Sequence, residues 1–82
     1  MTVKQYRKLT TTEGYLLLNR HGVMLDELTL YGMLRLRLYS FHNFYVQVVF
    51  NKHDNKLLEV KPLQDEDDWE PYLESKDLKS FF

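Results

Sequence analysis

From Leu34 to Leu38 apolar and basic residues alternate one for one, ahead of Tyr39, and from Phe44 to Phe50 a second run, Phe-Tyr-Val-Gln-Val-Val-Phe, follows the same period. A period of two sends alternate side chains to opposite faces of a β-strand. Between the runs lies Phe41-His42-Asn43, and the length of the turn it forms decides which residues face one another. A two-residue turn at His42-Asn43 sets Arg37 beside Val48 and Arg35 beside Phe50, mixing the faces. A three-residue loop pairs Ser40 with Phe44, Leu38 with Val46, Leu36 with Val48 and Leu34 with Phe50. That register collects the apolar partners on one face and is the one expected, with Asn43 left-handed at the end of the loop. A loop at His53-Asp54-Asn55 likewise pairs Phe50 with Leu58 and Val48 with Val60, with Asn55 left-handed. Leu34, Leu36, Leu38, Val46, Val48, Phe50, Leu58 and Val60 are then the buried face, and Pro62 ends the fourth strand or keeps it at a sheet edge.

The flanks follow other rules. Thr10-Thr11-Thr12-Glu13 has the form of a capping box, so a helix is expected over 11–21, with Gly22 as its left-handed stop and Arg20 and His21 at the negative end of its dipole. Gly14 weakens this helix, which must be held by packing through Tyr15, Leu17, Leu18 and His21. A first strand is expected from Val23 to Thr29, in a register that turns either Asp26 or Glu27 inward; a short helix capped by Asp26 competes with it. Tyr31-Gly32 marks the turn into the second strand. The run from Asp65 to Pro71 carries an aspartate cap, carboxylates and a first-turn proline, the pattern of a second helix start. Trp69, Tyr72 and Leu73 should pack from it onto the sheet, followed by an apolar tail of Leu78, Phe81 and Phe82. The expected fold is α+β: an N-terminal helix, a four-stranded antiparallel β-meander and a C-terminal helix, in a single domain over residues 1–82.

Composition narrows the function. With 82 residues and no cysteine, the chain lacks disulfides and thiolate metal sites, so its one Trp, six Tyr and five Phe carry much of the packing. The net charge of −1 argues against wrapping duplex nucleic acid. It averages a basic first part, six basic and three acidic side chains in residues 1–37, with an acidic second part of five and nine. The basic start leads into no apolar segment of the kind a secretory signal needs, and no apolar run has the roughly 20 residues of a membrane span. A cytoplasmic protein is expected.

Candidate chemistry is sparse. The imidazoles are His21, His42 and His53, two of them in expected hairpin loops, and no nucleophile, base and orienting group can be proposed together. The acidic run Asp65 to Asp68 with Glu70 lacks the alternation and glycine of a calcium loop and reads as a helix cap. Gly14, Gly22 and Gly32 have no phosphate-loop spacing. No enzyme activity, cofactor or metal is expected.

The sheet's outer face is more informative. In the expected register it displays Met33, Arg35, Arg37 and Tyr39, then Tyr45, Gln47, Val49 and Asn51, then Leu57, Glu59 and Lys61. Tyrosine and arginine among aliphatic residues is the composition of a protein interface. Arg35, Arg37, Tyr39, Tyr45, Gln47 and Val49 are therefore the candidate binding residues, for a protein partner or a homodimer contact. The alternative is single-stranded nucleic acid, with Tyr39 and Tyr45 as neighbouring stacking platforms and the arginines on phosphates. A structural alternative is that the C-terminal helix or tail covers this face as a second core layer.

The run from Thr10 to Leu73, with its capped helix, His-Gly-Val start to the first strand, Phe-Tyr-Val-x-Val strand, Asp-Asn turn and Glu-Pro-Tyr-Leu helix, resembles a group of uncharacterised bacterial proteins of about this length. The resemblance implies a stand-alone bacterial cytosolic domain and no activity.

Overall fold

The computed structural model describes residues 1–64 together with Asp68, Trp69 and Tyr72. Two helices precede the sheet, α1 (Val3–Tyr6) and α2 (Thr11–His21). Four strands follow, β1 (Val23–Leu30), β2 (Leu34–Phe41), β3 (Phe44–Asn51) and β4 (Leu57–Leu63). The strands form one antiparallel meander in the order β1-β2-β3-β4. The α+β class and the meander are as expected from the pattern.

Helix α2 begins and ends where its caps place it. The Thr10 hydroxyl accepts from the Glu13 amide at 3.1 Å, and the Glu13 carboxylate accepts from the Thr10 amide at 2.9 Å. The same device, through Thr2 and Gln5, caps the unexpected α1. Gly22 stops α2 for a reason other than handedness, since its φ is −86°. Its amide donates to the Leu18 carbonyl, and a Cβ there would lie 2.8 Å from that oxygen. Gly14 has a similar role. The buried Tyr6 hydroxyl donates to the Gly14 carbonyl at 2.8 Å, and a Cβ on Gly14 would meet that hydroxyl at 2.9 Å and a Val60 methyl at 3.3 Å. Tyr15, Leu17 and Leu18 pack on the sheet as expected, whereas His21 is exposed.

The central hairpin corrects the expected register. His42-Asn43 is a two-residue turn, Phe41 pairs with Phe44, and Leu38 pairs with Gln47, Arg37 with Val48, Leu36 with Val49 and Arg35 with Phe50. The left-handed residue is His42, with φ 53°, rather than Asn43. Positive φ at the first turn position matches the right-handed twist of a hairpin. Leu34, Leu36 and Leu38 therefore lie on the opposite face from Val46, Val48 and Phe50, and no single face holds the core.

Both faces are buried. On the helix face, Tyr39, Phe41, Phe44, Val46, Val48 and Phe50 pack with Tyr6 and Leu18. On the far face, Leu36, Leu38, Val49 and Leu63 pack with Tyr72 and the partly buried Trp69. Asp68, Trp69 and Tyr72 take helical backbone. The rest of the expected C-terminal helix, with Leu73, and the apolar tail of Leu78, Phe81 and Phe82 lie outside the described residues.

In the outer hairpins, Val48 pairs with Val60 and Asn55 is left-handed at φ 58°, as expected. A bulge after Val49 pairs Phe50 with Leu57 instead of Leu58, and Leu58 is exposed. The strand reading of β1 holds. A second bulge between Met24 and Asp26 puts Asp26 on the far face and Glu27 on the helix face. Tyr31 and Gly32, both left-handed, form the expected turn. Pro62 is paired within β4, which is an edge strand.

The contact at Gly14 gives a first prediction. Gly14→Ala should lower the unfolding free energy by about 1–3 kcal/mol through overpacking against Tyr6, although alanine favours an isolated helix by about 1 kcal/mol. Urea denaturation measures it, and an unchanged or raised midpoint would mean that Tyr6 simply moves aside.

Candidate interaction surface

The corrected register separates the six candidate binding residues. Arg35, Arg37 and Tyr39 lie on the helix face, and Tyr45, Gln47 and Val49 on the far face. Tyr39 is 5% exposed and belongs to the helix-face core. Tyr45 keeps an exposed edge, but its ring meets Trp69 at 5.1 Å in a T-shaped contact. Tyr39 and Tyr45 are thus not neighbours on a common face, and the expected stacking platform does not form. The second core layer is instead the arrangement found, through Trp69 and Tyr72.

The two arginines are held within the sheet. Arg37 Nε donates to Glu27 across the β1–β2 pair at 2.7 Å, and Arg35 Nε lies 3.9 Å from the same carboxylate. The Arg37 guanidinium also sits 5.0 Å from the centre of the Phe50 ring, a cation–π contact. Glu27, and after it the Tyr39 hydroxyl, raise the Arg37 pKa above its ordinary value against the opposing effect of burial. Arg35 further donates to Asn55 at 3.3 Å. One carboxylate thus serves two cations and offsets one of the two positive charges expected on this face.

Beneath the far-face cover, a row of residues crosses the sheet from Asp26 through Leu38 and Gln47 to Lys61. Lys61 pairs with Asp68 at 2.7 Å, and Asp68 also accepts from the Gln64 amide at 2.9 Å. Among the described residues neither Gln47 Oε1 nor the Tyr72 hydroxyl has a hydrogen-bond partner, though both are buried. Burial raises the Tyr72 pKa, with the Asp26 carboxylate adding to the effect, and burial alone raises that of Tyr6.

A cleft of about 320 Å³ opens where the α1–α2 link passes β4, lined by Tyr6, Arg7, Thr10, Glu59 and Pro62 among others. Several of its polar groups are engaged: Arg7 donates to Gln64, Lys61 meets Asp68, and the Thr10 hydroxyl accepts from the Glu13 amide. His21, His42 and His53 are exposed at three separate places, the end of α2, the β2–β3 turn and the β3–β4 loop, with His42 edge-on to Phe41.

The residues that sequence reasoning passed over lie on β1. Val23, Met24 and Leu25 are 61%, 52% and 51% exposed in succession, and Tyr31 and Met33 follow in the adjoining turn. Leu25 has no partner on β2, being the bulged residue. Along the outer edge of β1, nothing among the described residues continues the ladder. The clue lay in the sequence, since three consecutive apolar residues cannot all face one side of a strand. Comparison with protein-family models, curated proteins and solved structures returns no match to this chain.

Two predictions rest on the buried phenols. Because Tyr6 and Tyr72 hold their protons above the ordinary value near 10, the unfolded chain releases those protons first as pH rises. Their contribution is complete below about pH 10 and is lost above it, so the urea midpoint should fall between about pH 10 and 11.5. Tyr6→Phe should reduce that slope, and an equally steep fall in this variant would assign it elsewhere. At neutral pH, Tyr72→Phe removes a buried hydroxyl that has no partner among the described residues and should leave stability unchanged or raise it by about 1 kcal/mol. A loss of more than about 1 kcal/mol in thermal unfolding would show that the hydroxyl is bonded.

Proposed function

We propose that the protein is a small, non-enzymatic, cytoplasmic protein-interaction module that binds a polypeptide partner along the β1 edge of its sheet. The observation that carries this reading is the run of three exposed apolar residues, Val23, Met24 and Leu25, on a strand whose outer edge is unpaired among the described residues. An edge strand offers unsatisfied amide and carbonyl groups as a template for another strand, and flanking apolar side chains add contact area. The six residues first considered for this role are divided between the two faces of the sheet, one packed by α2 and the other by Trp69 with Tyr72. Nothing favours the nucleic-acid alternative, since Arg35 and Arg37 share Glu27 and Tyr39 is buried.

The test is a photo-crosslinking amino acid at Leu25, compared with one at Leu58, the exposed apolar residue of the opposite edge strand. In the native cell, polypeptide adducts should form from Leu25 and not from Leu58. Equal adducts from both positions, or none from Leu25, would refute the reading.

A further inference from the structure

The Met33 amide closes the β1–β2 turn by donating to the Leu30 carbonyl at 3.0 Å, with Tyr31 at φ 55° and Gly32 at φ 65° as the two central residues. Two positive φ values make this a type I′ turn, whose first central position favours asparagine, aspartate or glycine. A tyrosine there carries its Cβ into the left-handed region at a steric cost. Packing does not offset that cost. Tyr31 is 87% exposed, more than any other large apolar side chain among the described residues, and its ring meets no other ring there. Met33 beside it is 59% exposed. A bulky residue held in a strained conformation without packing inside its own chain points to a contact outside it.

The β3–β4 loop, residues 52–56, stands at the same end of the meander, opposite the β2–β3 turn. The Lys52 amide ties the two connections together by donating to the Met33 carbonyl at 2.9 Å. Lys52 and Lys56 are exposed, and among the described residues neither forms an ion pair. Arg35 reaches the same loop through Asn55. Against these cations stand Asp54, whose carboxylate accepts from the Lys56 amide at 2.9 Å, and Glu27, which Arg35 shares with Arg37. This end of the sheet therefore joins two exposed apolar side chains to an excess of positive charge, in a chain whose net charge is −1.

We propose that this end of the sheet docks on an anionic bilayer surface, with Tyr31 and Met33 entering the headgroup region and Lys52 and Lys56 lying against the lipid charges. Tyrosine suits that depth, since its ring is apolar and its hydroxyl stays wet. Apolar insertion and basic residues supply the two signals that reversible anchoring needs, and contact of this kind requires no membrane span. A protein partner fits this end less well, because a turn tip offers little of the roughly 800 Å² per side that a stable protein interface buries. Single-stranded nucleic acid calls for successive stacking rings, and Tyr31 has no aromatic neighbour among the described residues. The docking surface is separate from the β1 edge, so the Leu25 crosslinks and the lipid experiment can each fail alone.

Co-sedimentation of the full chain with vesicles tests the proposal, comparing phosphatidylcholine alone with a mixture holding about 30% phosphatidylserine. The protein should pellet with the mixed vesicles at low salt, less as salt rises, and stay in solution with phosphatidylcholine. Tyr31→Asn puts a residue the turn favours at the strained position, so the urea midpoint should hold or rise while partitioning falls by about fivefold or more. A purely structural role for Tyr31 would lower the midpoint and leave partitioning alone. Lys52→Glu with Lys56→Glu should lower partitioning by about tenfold or more. Leu16→Gln, at an exposed leucine of α2, should leave it unchanged. Circular dichroism checks that each variant folds; should the double variant not fold, Tyr31→Asn decides alone. No pelleting with the mixed vesicles at low salt, equal pelleting with both kinds, or full binding by folded Tyr31→Asn overturns the proposal. A labelled single-stranded oligonucleotide is the second probe: binding to it that depends on Tyr31, without vesicle binding, overturns the proposal in favour of nucleic acid.

Discussion

The pairing of Phe41 with Phe44 across a two-residue turn determines the side to which every other residue of β2 and β3 points. Side chains alternate along a strand, so the turn fixes a parity that no later residue can change without a bulge. Here the parity sends Leu34, Leu36 and Leu38 to one face while Val46, Val48 and Phe50 go to the other. Each face becomes apolar in its own right, and a meander apolar on both sides must be covered on both. Helices α1 and α2 cover one face, and Trp69 and Tyr72 cover the other. The three-layer arrangement is thus a consequence of the turn.

The helix-face cover depends on close approach. Tyr6 reaches α2 through its hydroxyl, and its ring packs against Phe41 and Phe44 at centroid distances of 5.5 and 5.8 Å. Side chains at both glycines would break this fit, one by pushing on Tyr6 and the other by striking the Leu18 carbonyl. Neither glycine is there for a left-handed backbone. Leu18 is fully buried, and a leucine so placed stabilises the fold by roughly 1.5–3 kcal/mol relative to its exposed state. That gain depends on the helix axis lying close to the sheet.

The parts of this architecture legible in the sequence are those set by local chemistry. The Thr10–Glu13 box, the Gly22 stop, the Tyr31-Gly32 turn and the left-handed Asn55 all act within a few residues, and each is where the pattern places it. Register is different, because it compares two distant strands. The expected register assumed one buried face, and under that assumption the three-residue loop is the better fit. β3 itself argues otherwise, since Val46, Val48, Val49 and Phe50 make it apolar on both sides, the mark of a strand buried twice over. The common face of the six candidate residues goes with the register, since they share one only in the three-residue pairing. Helix α1 was legible in the Thr2-x-x-Gln5 spacing, the same capping signal as that of α2.

The two edges of the sheet are finished by different means. Edge strands are commonly guarded by proline, by bulges and by charge. β4 has the proline, a bulge at Leu58, the Lys61–Asp68 ion pair and, just past its end, the contact of Arg7 with Gln64. β1 has a bulge and two carboxylates, yet both carboxylates are already used inside their own chain. Glu27 draws in Arg37 and Arg35, and Asp26 accepts from the Glu27 amide at 2.8 Å. A charge offset by its own neighbours repels an approaching strand less than a free one does. The interaction that holds Arg37 over Phe50 therefore also weakens the guard on β1, and the exposed apolar residues Val23, Met24 and Leu25 lie beside that weakened guard.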